Sequence, residues 1–400
     1  MNEARVEKRH FRLGALFTIA GIFLALGFAG CQPQLGSTVE SLGSPAISPS
    51  PTTSPPANTV EDAPEPTDAY QPVWGAFPPP GLDPATPIPE PLTGLEISDE
   101  VMVWALLGSD SEPPFTGRIQ AIHLLFIHPR FSKASLVSIP GDLYVYIPGY
   151  TMQRINTAYA LGGIETLRET LAYNFGVTPS RFILAHPGDF QWLVDDLDTV
   201  EVTVFYPMSQ ACGGIRAGRV AMDGALALCY ASYREDMDEV SRMERQQQLL
   251  RVIFHKLTNE GYLVKLPLLY ASYEGWIKTD LSLEELVDTV PLALRLADPD
   301  RIGYYMLGWD AISLWEVPDQ SQAQVFLPDR GQVRTIFQQA IDDVMEPQPL
   351  TNQVSTLEAQ LTALYEATLT PAPTATPTPE PTLTGATVTL TPTATPPGYP

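Results

Sequence analysis

The sequence predicts an α/β protein: a three-layer α/β/α sandwich with a mostly parallel central sheet, helices on both faces, and disordered Pro/Thr/Ser-rich flanks. Three observations carry this reading. The apolar runs Val101–Leu107, Ala121–Ile127 and Ser135–Ile139 are short, rich in Val, Ile, Leu or Phe, and bounded by Gly, Pro, Ser or Asp, which marks buried strands. Downstream, strand-like runs alternate with stretches of helical periodicity, the pattern of a sheet covered on both faces. Much of the chain's proline, 40 residues in 400, gathers in two flanks, so the globular part is shorter than the chain.

Taken in order, the three strands are followed by a short one at Tyr144–Ile147, closed by Pro148-Gly149. Ile155–Phe175 is helical, with Ile164, Leu167, Leu171 and Phe175 at helical spacing, a break at Gly162-Gly163 and a stop at Gly176. Arg181–Ala185 reads as a strand, Phe190–Leu197 as a helix after the acidic start at Asp189, and Val200–Tyr206 as a strand. Asp223 is placed to cap a helix running to Tyr233. Asp238–Leu257 is a long amphipathic helix, polar in its first turns and apolar at Leu249, Leu250, Ile253, Phe254 and Leu257. A helix over Leu281–Ala297, a strand over Arg301–Leu307 and a closing helix over Gly331–Val344 complete a domain spanning 95–345.

The flanks differ in kind. Residues 1–31 combine a basic start (Arg5, Lys8, Arg9, Arg12) with the uncharged run Leu13–Gly30 and then Cys31, the order of an export signal. Phe28-Ala29-Gly30-Cys31 resembles a lipobox, whose cysteine is lipidated. The same run is also just long enough to span a bilayer as an uncleaved anchor. Both readings put the domain on the outer, extracytoplasmic face of the cell membrane. Residues 32–94 and 346–400 are Pro-, Ser- and Thr-rich and are expected to be extended spacers, with Val73–Phe77 the one apolar stretch able to dock.

A formal net charge of −23 excludes a nucleic-acid partner, which demands a basic face. An anionic ligand must instead be held by a local arginine cluster. The chain has only 23 Lys plus Arg, yet Arg118, Arg154, Arg234, Arg242 and Arg245 fall on segments bordering the presumed strand ends, with Asp110 beside them. Arginine recognises phosphate in a planar, bidentate way. One carboxylate next to such a cluster suits Mg²⁺ shared with substrate phosphates. Surface ion pairs would use the same residues. Cys212 and Cys229 would form a disulfide in an oxidising compartment and remain small buried hydrophobes in a reducing one.

Five ordered pieces carry a resemblance: LLGSDS (Leu106–Ser111), SLVSIPGDLYVYIPGY (Ser135–Tyr150), RINTAYALGG (Arg154–Gly163), MDGALALCYASYR (Met222–Arg234) and SRMERQQQLL (Ser241–Leu250). Together they resemble the LytR-CpsA-Psr (LCP) family, the cell envelope-related transcriptional attenuator domain. The resemblance implies transfer of a phosphoglycan from an undecaprenyl-pyrophosphate lipid to a cell-wall acceptor such as peptidoglycan, with Mg²⁺, and an apolar tunnel for the polyprenyl tail. Carried over by residue, it implies Asp110 at the metal, Asp110, Arg118, Arg234 and Arg242 at the reacting group, and Arg154, Arg245 and Gln246 at the pyrophosphate.

This chain also departs from the family. Gln120 stands where the family has an acid, Gly141 and Ser232 where it has arginines, and Glu239 where it has an aspartate. Glu112 lies where a further arginine is expected. Removing one preorganised donor can cost on the order of a hundredfold in rate. A non-catalytic relative that binds polyprenyl-phosphate lipids or wall glycan is therefore the alternative, unless Arg130, Lys133 or Arg154 substitutes.

The anchor is tested by feeding cells a tagged fatty acid. The expected outcome is label on the wild type that is lost in Cys31→Ser. An unlabelled, full-length membrane product would select the uncleaved anchor, and a soluble cytoplasmic product would remove both.

Overall fold

The computed structural model describes residues 77–234, 238–319, 321–349 and 352–369. Cys31 and the apolar run before it lie outside the described residues, as do the Thr/Pro stretch from residue 371 and residues 73–76. Among the described residues no helix is long and apolar enough to cross a membrane.

The central sheet has six strands in the order β10-β3-β2-β1-β6-β9: Ile302–Met306, Lys133–Ile139, Ile119–His128, Met102–Ser109, Arg181–Ala185 and Lys278–Thr279. It is mixed, which corrects the expectation of a mostly parallel sheet. β2 runs antiparallel to both β1 and β3, and β9 is antiparallel to β6; only β1/β6 and β3/β10 are parallel. The reason is loop length. Residues 110–118 and 129–132 are all that join β1 to β2 and β2 to β3, too short for a parallel crossover of a dozen or more residues. Three hairpins surround the sheet: β4–β5 (Tyr144–Ile147, Thr151–Arg154), β7–β8 (Val200–Val204, Gly218–Met222) and β11–β12 (Ile312–Glu316, Gln324–Pro328).

The helices are α1 (Ala158–Phe175), α2 (Pro187–Asp196), α3 (Gly224–Ser232), α4 (Glu239–Asn259), α5 (Leu266–Tyr273), α6 (Leu283–Asp288), α7 (Val290–Arg295), α8 (Arg330–Met345) and α9 (Asn352–Leu369). Capping explains their starts. Asp223 accepts from the Leu226 N–H, Asp238 from Ser241 and Asp329 from Gly331 and Gln332. Gly162 and Gly163 break α1 as expected, Gly163 at φ +74. The single helix expected over Leu281–Ala297 is two, because Pro291 lacks the N–H that would continue the first.

Strand β1 shows how the sheet is sandwiched. Val103, Ala105 and Leu107 point into a tight core with Phe175 of α1 and Phe337 of α8. Met102 and Trp104 point the other way, toward Phe254 of α4 and Leu292 of α7. A second core joins α2, α3, α4 and β7 through Val194, Ala227, Leu249 and Val202.

The packed region is longer than 95–345. Residues 77–92 form an extended strap rather than a free spacer: Tyr146 and Tyr173 donate their hydroxyls to the Pro78 and Pro89 carbonyls, and Leu92 is buried. Phe77 stacks edge-on against Tyr173. At the other end α9 lays Leu357 and Leu361 against Leu263, Val290 and Leu294.

At the β2–β3 turn, Arg301 is fully buried and donates to the Phe131, Ser132, Gln348 and Pro349 carbonyls. Lys133 is buried too, paired with Asp343 at 2.9 Å. Both lie at the opposite end of β2 from Arg118, and a ten-residue strand is about 30 Å long. Arg130, 3.8 Å from Glu100, shares that far end. Neither Lys133 nor Arg130 can therefore substitute in the arginine cluster.

Cys212 and Cys229 form a disulfide across a separation of 17 residues, tying the β7–β8 loop to α3. A loop of that size gives roughly 3 kcal/mol. The Cys212→Ala/Cys229→Ala protein should lose about that much in urea unfolding, and the native protein should show no free thiol at either position by mass spectrometry.

Candidate functional site

The site forms where three strand ends meet the start of α4. After β1, Asp110 closes a loop onto the start of β2: its N–H donates to the Arg118 carbonyl at 3.0 Å, and its Oδ1 accepts from the Arg118 N–H at 2.8 Å. Its Oδ2 accepts from the Gln120 amide at 3.3 Å. Gly117 permits this, because a Cβ there would lie 2.1 Å from Asp110 Oδ1. The Arg118 side chain is exposed and makes no ion pair among the described residues. Asp110 and Arg118 are thus coupled through the backbone, leaving the guanidinium available.

After β3, Pro140-Gly141 delivers Asp142, around which the arginines gather. Arg234 Nη1 lies 2.9 Å from its Oδ2 and Arg154 Nε 3.4 Å from its Oδ1. Asn156 donates to Oδ1 at 3.2 Å. Arg154 also donates to the Gln324 carbonyl of β12 at 2.7 Å.

The first turn of α4 supplies the second acid. Glu239 is 1% exposed; its Oε2 accepts from Arg234 at 2.9 Å and its Oε1 from Arg242. Arg242 then donates to the Gln120 carbonyl at 2.9 Å. A carboxylate buried this deeply persists only when paired, and here it is paired twice. Burial pulls the Arg234 pKa down, but the bonds to Asp142 and Glu239 outweigh it and the net shift is upward.

Beneath Arg242 lies a buried polar chain. Gln247 donates to the Ser138 hydroxyl at 2.7 Å and to the Tyr305 carbonyl at 2.6 Å, and Ser138 lies 2.7 Å from His123 Nδ1. With Ser138 accepting from Gln247, its own proton is directed to His123 Nδ1. Burial, helped by the Arg242 charge, pushes the His123 pKa down to about 4, so the ring is neutral at physiological pH.

Arg245 and Gln246 have another task. Arg245 donates to the Tyr230 and Tyr233 carbonyls, and Gln246 to the Ala231 carbonyl at 3.2 Å. They satisfy the carbonyls that the end of α3 leaves open and brace α3 on α4. Burial lowers the Arg245 pKa. Of the residues singled out in the sequence, Arg154, Arg234 and Arg242 meet in one network, and Asp110 and Arg118 adjoin it through Gln120. Asp142 and Glu239, which organise the network, were not among the candidates. The signal was present: Asp142 stands at a strand end, and Glu239 at a helix start three residues before Arg242.

An apolar face leads to these groups. Trp104 and Leu106 on β1, Leu125 on β2 and Ile183 on β6 share one side of the sheet and are only half-buried, although β1 is a central strand. The opposite side is closed, with Ala105 at 0% exposure. The face ends at Gly108 and Ala121, next to Gln120.

Among the described residues no group of three or more His, Cys, Asp or Glu side chains could hold a metal ion. Asp110 contributes one carboxylate at this strand end. This arrangement fits a Mg²⁺ ion only if substrate phosphates and water complete its shell.

A strand-end cluster of arginines and acids beside a half-buried apolar face defines the class: a mixed α/β domain. The LytR_cpsA_psr family model matches residues 89–321, and the chain belongs to that family. It is 31% identical over 180 residues to regulatory protein MsrR of Staphylococcus aureus (strain COL), covering 44% of this chain and 55% of MsrR. It is 26% identical over 186 residues to the polyisoprenyl-teichoic acid–peptidoglycan teichoic acid transferase TagU of Bacillus subtilis (strain 168), covering 46% of this chain and 61% of TagU. The chain thus spans somewhat more than half the length of these relatives. The fold is similar to the crystal structure of B. subtilis TagV (TM-score 0.53, 16% identity, 63% of this chain and 100% of that one). It is equally similar to TagT bound to LI-WTA (TM-score 0.53, 20% identity, 64% and 97%).

The His123 pKa is lowered in the folded state, so its contribution is complete above the unfolded value near 6.5 and is lost as pH falls toward about 4. Stability should decline over that window by up to about 3 kcal/mol. In His123→Met the decline should be shallower, as measured by urea unfolding at a series of pH values.

Proposed function

We propose that this chain is an extracytoplasmic, membrane-tethered LCP protein that binds a polyprenyl-pyrophosphate-linked glycan and transfers its phosphoglycan to a cell-wall acceptor such as peptidoglycan. The observation that carries the reading is the junction of two unlike surfaces. The half-buried face of Trp104, Leu106, Leu125 and Ile183 runs up to the network of Arg154, Arg234 and Arg242. An apolar tail and a pyrophosphate head fit such a junction. The naming of TagU as a teichoic acid transferase supports the same class of reaction.

In this reading Arg118, Arg154 and Arg234 neutralise the pyrophosphate, and Arg242 fixes it from the start of α4. Glu239 and Asp142 hold the Arg154, Arg234 and Arg242 guanidinium groups in place, so little reorganisation is needed there when charge shifts to the leaving phosphate. Asp110 would hold Mg²⁺ together with the substrate's oxygens, and the ion would supply charge neutralisation there.

A second reading, lipid or glycan binding without turnover, rests on Gln120, Gly141 and Ser232. At Gly141 a Cβ would meet its nearest atoms at 3.4–3.5 Å, an ordinary contact.

Each charge-assisted contact to phosphate contributes roughly 1.5–3 kcal/mol. Arg242→Ala should therefore weaken binding of a polyprenyl pyrophosphate about tenfold or more by calorimetry. Mg²⁺-dependent phosphoglycan release is then measured in the wild type and in Gly141→Arg/Gln120→Asp. Turnover in the wild type, lost with Asp110→Ala, is the expected outcome. Binding without turnover, with activity gained only in the double variant, would establish the second reading. A silent Arg242→Ala would discard the site.

A further inference from the structure

A cavity of about 370 Å³ lies on the closed side of the sheet, away from the half-buried apolar face. Its walls come from the strap, from the two hairpins β4–β5 and β11–β12, and from the facing helices α1 and α8. Phe175 and Val333, which line it, belong to the same core as Ala105 and Leu107. The volume is at the lower end of the range for small-molecule pockets, ~300–1,000 Å³.

Its chemistry is specific. Tyr144 and Trp315 present aromatic rings 5.6 Å apart between centroids, and Met152 and Leu327 add apolar surface. The Thr86 and Tyr144 hydroxyls are buried in the wall and face one another. The one charged lining residue is Arg330. Its guanidinium donates to the Glu90 carbonyl and forms no ion pair among the described residues. Burial lowers its pKa, the sign of a cation whose lost hydration is not made good. In a chain of net charge −23, this half-buried arginine, with the Glu90 charge in electrostatic reach, is the one cation on the cavity wall.

We propose that this cavity is a binding site for a small amphiphilic anion, with a planar or branched apolar body between Tyr144 and Trp315 and its acidic group on Arg330. The bound acid would place a counter-charge against the cavity side of Arg330. This site stands apart from the Asp142–Glu239 network and does not depend on the phosphotransfer reading.

The test uses the intact protein and the probe 8-anilinonaphthalene-1-sulfonate, followed by its emission and by energy transfer from tryptophan. Saturable binding is expected, weakened at least tenfold by Arg330→Ala and by Leu327→Glu, which sets a carboxylate at the half-open wall. Leu106→Trp, which narrows the other apolar face, should leave binding unchanged. Circular dichroism melts check that each variant is folded; Arg330→Lys, which keeps a cation, should bind between wild type and Arg330→Ala. Binding abolished by Leu106→Trp, or indifferent to both Arg330→Ala and Leu327→Glu, would overturn the site. An uncharged anilinonaphthalene that binds as tightly as the sulfonate would overturn the anion requirement.

Discussion

Glu239 is the interaction on which the site depends. A carboxylate removed from water is costly, and its presence on the first turn of α4 is tolerable only because Arg234 and Arg242 both close on it. The consequence runs in both directions. Glu239 holds the two guanidinium groups, and through Asp142 and the Gln120 carbonyl those groups tie α3 and α4 to the ends of β2 and β3. Helix packing and site geometry are thus one constraint. Any change that loosens the clasp also loosens the joint between helices and sheet.

The balance of charge within the cluster explains how an acidic chain can hold an anion. Arg118, Arg154, Arg234 and Arg242 face Asp110, Asp142 and Glu239, a small local excess of positive charge. The excess is carried by the exposed Arg118 rather than by the buried members. Long-range attraction contributes little in such a protein; in the proposed function recognition is by contact, at fixed donors, and therefore by shape.

Much of this was legible in the sequence. The strands around Val103, Leu124 and Val137, the glycine break in α1 and the cap at Asp223 follow from local rules, and the structure has them. Strand direction was not legible from alternation alone: the short links at 110–118 and 129–132, which force antiparallel pairing, had to be weighed against it. The candidates Arg154, Arg234 and Arg242 come together because each sits at an element boundary. Arg245 stands one residue short of the i+7 position that would aim it at Glu239 and reaches the end of α3 instead, and a list of arginines does not carry that angle. In the sequence Glu239 stands out only as a departure from the family and Asp142 not at all, because the burial and pairing that make them important are properties of the fold. The strap at 77–92 was hidden by its proline content, which marks extended chain but does not say whether that chain is docked.

The docked strap also defines how load enters the domain. Tension applied from the N-terminal side of residue 77 arrives first at Pro78, whose carbonyl accepts from Tyr146 and from the Gly149 N–H. Pro89 and Leu92 lie further along, anchored on Tyr173. These bonds sit in series on β4 and α1, so a pull peels the strap from the wall of the 370 Å³ cavity before it reaches the central sheet. The sheet and the arginine network behind it are mechanically insulated, with the strap acting as the sacrificial link.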